Sequence, residues 1–105
     1  MLKVFISQPM NGLSDKEIRK RRNEAIDEIH KMFGEDVEIL DSFFDDYDED
    51  GDVFDEKVTP IKYLARSIDV LADADVVYFV SGFMTNRGCR IEYEVANSYG
   101  KRVMK

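Results

Sequence analysis

The chain has 105 residues, of which 44% are hydrophobic, a formal net charge of −7 and one cysteine. A single cysteine excludes an internal disulfide, and the negative charge argues against a general affinity for a nucleic-acid backbone. No apolar stretch approaches the roughly 20 residues of a membrane span, and the apolar run at residues 2–6 is too short for a signal peptide, so we expect one cytoplasmic domain, residues 1–105, without a membrane or nucleic-acid partner.

The beginning of the chain predicts a strand followed by a helix. Residues 2–6 include the β-branched Val4 and Ile6 and the aromatic Phe5, and the turn composition of residues 7–12 ends the strand. Ser14 and Glu17 have the spacing of a capping box, and Gly34 is typical of a helix end. The helical face predicted to pack consists of Ile18, Arg22, Ala25, Ile26, Ile29, Met32 and Phe33.

An acidic segment interrupts this pattern. Residues 37–40 predict a second strand, and residues 43–58, which follow it closely, are crowded with Asp and Glu. Such a block repels itself and predicts a solvated loop. Residues 46–53 also match the first eight positions of an EF-hand calcium loop, but its twelfth position is occupied by Lys57. A calcium site in this loop is therefore an alternative to a plain acidic loop.

Two further helix–strand units complete the chain. Thr59 and Pro60 start a helix, residues 75–80 predict the most apolar strand, and residues 102–104 predict a last, short one. Gly100 closes the helix between these two strands. The apolar face predicted for the first of these helices consists of Ile61, Leu64, Ala65, Ile68 and Leu71. The residues predicted to be buried by the second are Ile91, Val95, Ala96 and Tyr99.

The order of elements, βαβαβαβ, predicts an α/β fold. Helical crossovers between apolar strands imply a parallel sheet with helices on both faces. We expect a flavodoxin/Rossmann-like three-layer sandwich with four to five strands in the order 2-1-3-4. This order would place the loop at residues 7–12 beside the loop at residues 81–88, on the rim where such sheets bind ligands.

Several segments resemble the nucleoside 2-deoxyribosyltransferase-like proteins, and in particular a small bacterial and phage branch. They are FISQPMNG at residues 5–12, LADADVVYF at residues 71–79, and RGCRIE at residues 87–92. Ala96 and residues 99–103 continue the similarity, so that it spans nearly the whole chain.

The resemblance implies that Glu92 is a catalytic nucleophile. In that family a glutamate at the start of this helix attacks C1′ of a deoxyribonucleoside or its 5′-monophosphate, and a second base or water takes the sugar. A carboxylate is suited to this role because it stabilises an oxocarbenium-like transition state. The alternative is a solvated glutamate favoured by the helix dipole. Glu94 lies about 200° further round the helix, so both carboxylates cannot enter one site.

The resemblance also implies a substrate site, a homo-oligomer, and a nucleoside or nucleotide as the small-molecule partner. No cofactor is expected. The sole histidine, His30, is distant from the predicted rim, which argues against a histidine triad or a zinc site. Cys89 is predicted to be a packing residue. The residues expected to bind substrate are Ser7, Gln8, Pro9, Met10, Asn11, Gly12, Ser67, Asn86, Arg87 and Gly88.

The sequence departs from that family at several of its functional positions. The transferases carry aspartates that position the leaving base and the sugar hydroxyls, and here Ser67 or Asp69 and Asn86 align with them. Phe5 or Ser7 aligns with a family tyrosine. Serine and asparagine keep hydrogen bonding but remove charge and proton transfer. The alternative function is therefore a non-catalytic module that binds a nucleotide in the same pocket.

Overall fold

The structure, a computed structural model, describes residues 1–9, 12–40 and 59–105, with the backbone alone at residues 59 and 60. The acidic segment 43–58, and with it the calcium hypothesis on residues 46–53 and Lys57, lies outside the described residues. Within the described ranges, no helix is long and apolar enough to cross a membrane.

Four parallel strands alternate with three α-helices in the described residues. In chain order they are β1 (Leu2–Ser7), α1 (Asp15–Phe33), β2 (Val37–Leu40), α2 (Thr59–Leu71), β3 (Val76–Phe79), α3 (Arg87–Ser98) and β4 (Arg102–Met104). A short 3-10 helix, Phe83–Thr85, precedes α3. The sheet order is β2-β1-β3-β4 and each neighbouring pair is parallel, which confirms the predicted order.

Helices cover both faces of the sheet. One core cluster lies between the sheet and α1, and its buried members are Val4, Ile6, Ala25, Ile29 and Val76. The other lies between the sheet and α2 and α3, and its buried members are Phe5, Leu71, Ala74, Val77, Phe79, Phe83, Cys89 and Ala96. Successive residues of β1 point to opposite faces, so β1 contributes to both clusters. The predicted Rossmann-like α/β sandwich is confirmed.

Helix α1 begins and ends where the sequence predicts. The Ser14 hydroxyl accepts a hydrogen bond from the Glu17 amide at 3.2 Å, which satisfies one of the free amides of the first turn. Gly34 caps the other end with φ of 82°, a conformation that favours glycine, and its amide donates to the His30 carbonyl. These two caps fix where α1 begins and ends.

The buried face of α3 differs from the predicted one. Cys89, Glu92 and Ala96 are buried, whereas Ile91 is 37% exposed and Tyr99 is 80% exposed. Ile91 lies about 100° round the helix from Glu92. Tyr99 is the residue after the helix end, so its side chain no longer follows the helical face. Helix α3 is therefore rotated about its axis relative to the prediction, so that Glu92, instead of Ile91, faces the sheet.

Two smaller corrections concern α1 and α2. Met32 is 41% exposed, because at this end of α1 the contact with the core is made by Phe33. Ile61 is 70% exposed and Ala65 is also exposed, because α2 packs on the face of Ser67 and Leu71. Relative to Leu71, both predicted positions lie about 80–120° round the helix.

Candidate functional site

The carboxyl ends of β1 and β3 lie side by side at one edge of the sheet. Ser7 pairs with Phe79 in the parallel register, and the Val80 amide donates to the Ser7 carbonyl at 2.9 Å. The loops that follow approach each other, since a Cβ on Gly82 would lie 3.9 Å from Cγ of Pro9. This edge is where open α/β sheets bind ligands.

A buried hydrogen bond connects β1 to α3 at this edge. The Ser7 hydroxyl donates to Oε1 of Glu92 at 2.6 Å. Ser7 is the last residue of β1 and is 2% exposed, while Glu92 lies in the second turn of α3 and is 7% exposed. The distance is typical of a hydroxyl that donates to a carboxylate, so the contact favours the ionised form of Glu92.

The burial of Glu92 has the opposite effect on its ionisation. Removal from water disfavours a charged carboxylate and raises the pKa of Glu92 from 4.5 to about 7, although the Ser7 hydroxyl lowers it. At neutral pH the side chain is therefore divided between its protonated and ionised forms. A carboxyl poised near the working pH is a frequent property of functional sites.

Cys89 lies one turn before Glu92 on the same face of α3, and its side chain, like that of Glu92, is hydrogen-bonded to Ser7. The thiol is 2% exposed, and a hydrogen bond with Ser7 lowers its pKa. Burial has the larger effect and, together with the nearby Glu92, raises the pKa of Cys89 to about 11. The thiol is therefore protonated and unreactive at neutral pH, as expected of a packing residue.

The first turn of α3 is held by Asn86. Its Oδ1 accepts a hydrogen bond from the Cys89 amide at 3.0 Å, so Asn86 is the N-cap of the helix. Arg87 is exposed, and a Cβ on Gly88 would come within 3.3 Å of the Asn86 oxygen. Asn86 therefore has a structural role that sequence reasoning had not assigned, although an asparagine just before a helix is a typical N-cap signal.

Three aromatic rings fix the orientation of α3. Phe79, at the end of β3, lies with its ring centroid 5.0 Å from Phe83 and 5.2 Å from Tyr93, the neighbour of Glu92. Phe83 and Tyr93 are 5.2 Å apart. Such pairs stabilise one arrangement of the helix on the sheet, and that arrangement directs Glu92 toward Ser7.

The loop after β1 is described at four of its six predicted site positions. Ser7 and Gln8 are buried, Pro9 is half-buried, and Gly12 is exposed with φ of 78°, which favours glycine. The Gln8 amide nitrogen donates to the Ile18 carbonyl of α1 at 3.1 Å. The predicted positions Met10 and Asn11 lie outside the described residues.

The candidate site is thus built on Ser7, Glu92 and Cys89, with Gln8 adjacent in the chain. Ser67 is 3% exposed on the packed face of α2. The contact between Ser7 and Glu92 was not predicted, and no local signal marks it, because the two residues are 85 positions apart. Among the described residues, no group of three or more His, Cys, Asp and Glu side chains is arranged to hold a metal ion.

Comparison with known proteins gives one match. The model of a family described as a domain of unknown function (DUF4406) matches residues 2–105. No curated protein and no solved structure matches the chain.

Proposed function

The chain belongs to the DUF4406 family, and we propose that it cleaves or transfers at the N-glycosidic bond of a deoxynucleoside or deoxynucleoside 5′-monophosphate, with Glu92 as the nucleophile. This family is related in general to proteins with the fold of nucleoside 2-deoxyribosyltransferases. The observation that carries the proposal is the buried carboxyl of Glu92, held by Ser7 at the ligand-binding edge of the sheet.

The geometry of the pair suits covalent catalysis. Oε1 of Glu92 accepts the hydrogen bond from the Ser7 hydroxyl, and Oε2 is the atom that would attack C1′ of the sugar. The electron pair of the C1′–N bond leaves with the base, which takes a proton from water, and a glycosyl ester forms. Water then attacks C1′, and the free sugar and the carboxylate are released; a second base in place of water gives a new nucleoside.

Desolvation contributes to the reactivity of this carboxylate. In water a carboxylate is stabilised by its hydration shell, whereas the Glu92 side chain is largely buried and accepts a hydrogen bond from the Ser7 hydroxyl. Its ionised form is therefore high in free energy, as the raised pKa records, and it gains most when positive charge develops at C1′. Only the ionised form attacks, so the rate of base release should rise with pH through about 7.

A second candidate function is nucleotide binding without turnover. It is favoured by Asn86, which aligns with a family aspartate and whose side-chain oxygen is occupied as a helix cap. Ser67, one of the two residues that align with the other family aspartate, is uncharged and is buried in the packed face of α2. A pure binding module has no chemical need for Glu92, so the two functions differ in what the loss of this carboxylate does.

Release of free base, measured by liquid chromatography, tests the proposal. The protein is incubated with each deoxynucleoside and each 5′-monophosphate, with and without a second base. We expect base release by the wild-type protein, with loss of at least about 1,000-fold in Glu92→Gln, which is nearly isosteric and cannot attack. Glu94→Gln is the matched control. Glu94 lies on the same helix, is exposed and accepts a hydrogen bond from the Ser98 hydroxyl.

The result separates the two functions. Base release that Glu92→Gln abolishes and Glu94→Gln spares would establish the N-glycosidic chemistry. No release from any substrate by a folded wild-type protein, together with calorimetric binding that Glu92→Gln retains, would establish the binding module instead. We also propose a homo-oligomer, which light scattering coupled to size-exclusion chromatography would detect as a multiple of the 12.2 kDa chain mass.

A further inference from the structure

Gln8 contains a buried hydrogen-bond acceptor that lacks a donor. The side chain is 5% exposed, and its Nε2 donates to the Ile18 carbonyl at 3.1 Å. Among the described residues, no donor reaches Oε1 of Gln8, and this atom is buried. The amide cannot be turned round, because that would place Oε1 against the Ile18 carbonyl, and two acceptors would then face each other.

An unpaired buried acceptor destabilises a folded protein, and the great majority of such atoms have a partner. Gln8 is not needed to satisfy the Ile18 carbonyl, which lies inside α1 and has the amide four residues on as its helical partner. A methionine of similar length would fill the same space without an unpaired oxygen. Among the described residues, nothing in the packing of the free protein accounts for this amide oxygen, and a hydroxyl group of a ligand would satisfy it.

Gln8 lies at the same end of β1 as the proposed reacting groups. It follows Ser7 directly, so their Cα atoms are about 3.8 Å apart. Ser7 turns toward α3 and Glu92, whereas Gln8 turns toward α1 and Ile18. A sugar in the crevice beyond β1, with its C1′ at Glu92, would extend its hydroxyl groups toward the side of the crevice on which Gln8 lies.

We propose that Gln8 is a specificity-determining residue whose Oε1 accepts a hydrogen bond from a sugar hydroxyl of the substrate. The inference rests on the proposed function and adds the chemical class of the group that Gln8 reads. A phosphate is excluded from this position, because at neutral pH its oxygens act chiefly as acceptors and would face the amide oxygen without a proton between them. Gln8 thus selects a nucleoside hydroxyl, not a phosphate.

Gln8→Met tests the proposal, because it removes the acceptor and keeps the length of the side chain. We measure the melting temperature without ligand, and kcat/KM for base release from the best of the four common deoxynucleosides. We expect the melting temperature to stay equal or rise, and kcat/KM to fall about tenfold or more, the value of one lost hydrogen bond. A residue needed only for packing would give the reverse pattern.

A double-mutant-type cycle, which combines Gln8→Met with substrate analogues that lack one hydroxyl, identifies the sugar hydroxyl that Gln8 binds. The 5′-deoxy and 3′-deoxy analogues of the same nucleoside are assayed with the wild-type protein and with Gln8→Met. Removal of the hydroxyl that Gln8 binds should lower kcat/KM in the wild-type protein and have no further effect in Gln8→Met. The proposal is overturned if Gln8→Met leaves kcat/KM unchanged, or if the effects of both analogues add fully to that of the substitution.

Failure of this inference can be distinguished from failure of the proposed function. If the wild-type protein releases no base, the same cycle is run by calorimetry on the affinity of the deoxynucleosides, and a non-additive pair still supports the role of Gln8. If no deoxynucleoside is bound or cleaved, the inference is overturned together with the proposed function. Turnover that Gln8→Met does not alter overturns the inference alone.

Discussion

Ser7 Oγ and Glu92 Oε1 lie 2.6 Å apart in the interior of the molecule, although 85 positions separate the two residues in the chain. The contact joins the end of β1 to the second turn of α3, at the edge where open α/β sheets in general bind their ligands. A second serine–glutamate pair, Ser98 and Glu94, lies exposed on the same helix at 3.1 Å. The exposed pair therefore serves as a control for the buried one.

Ser7→Ala should slow base release and shift its pH dependence. The substitution removes the Ser7 hydroxyl, which stabilises the Glu92 carboxylate, so the pKa of Glu92 should rise above about 7. We expect the rate at pH 7 to fall roughly tenfold or more, because a hydrogen bond to a charged group is lost, and to recover in part at higher pH. The pH–rate profile of base release measures both effects.

Ser98→Ala controls for the loss of a serine hydroxyl from a glutamate on α3. Because both partners of that pair are exposed, water replaces the lost hydroxyl and the pH–rate profile should stay unchanged. Equal profiles for Ser7→Ala and the wild-type protein would show that Ser7 does not control the ionisation of Glu92.

Glu92→Gln should change how stability depends on pH. The folded protein holds the Glu92 proton up to about pH 7, whereas the unfolded chain releases it near 4.5. Between these pH values the folded state therefore binds more protons than the unfolded state. The contribution of Glu92 to the free energy of unfolding falls as pH rises through this window and becomes constant above pH 7. Glutamine has no such titration.

The pKa of Glu92 is raised from 4.5 to about 7 in the folded protein. As pH rises from 4.5 to 8, we therefore expect the free energy of unfolding of Glu92→Gln to increase by about 3 kcal/mol relative to that of the wild-type protein. Urea denaturation at a series of pH values measures the difference. Glu94→Gln, which alters an exposed carboxylate, should show no comparable trend. A constant difference between Glu92→Gln and the wild-type protein across this range would contradict the raised pKa.

The fold could be predicted because its signals are local. Strand and helix periodicity, the Ser14 cap and Gly34 each act within a few residues, and the βαβ handedness rule converts them into a sheet order. The orientation of α3 about its axis could not be predicted in this way, since hydrophobic periodicity favours burial of Ile91 and Tyr99. Glu92 is buried instead because a partner from the other end of the chain receives it, and no local pattern records that partner.

Lys101→Met should destabilise the protein. The Lys101 ammonium group donates to the Ala72 and Ala74 carbonyls, each at 2.8 Å, and so joins the turn before β3 to the start of β4. Hydrogen bonds from a charged donor contribute about 1.5–3 kcal/mol each when buried, and less here because the side chain is half-exposed. We expect a loss of about 1–2 kcal/mol in urea denaturation. Lys20→Met, at an exposed position of α1, should change stability by less than about 0.5 kcal/mol.

The last prediction asks whether Asn86 acts in the proposed chemistry as well as in the N-cap of α3. Asn86→Ala removes the N-cap of α3 and should cost about 1 kcal/mol in urea denaturation. Asn86→Asp keeps a capping oxygen and adds a negative charge near the helix N-terminus, so stability should be retained or improved. It also restores the aspartate that the deoxyribosyltransferase-like proteins carry at the aligned position.

If the missing charge limits base exchange, Asn86→Asp should raise the ratio of transfer to hydrolysis, measured by chromatography with a second base present, while Asn86→Ala should not. A ratio that stays the same in Asn86→Asp, at unchanged stability, would show that Asn86 acts on the site only as the cap of α3. In that case the charge at position 86 does not set the proposed balance between transfer and hydrolysis.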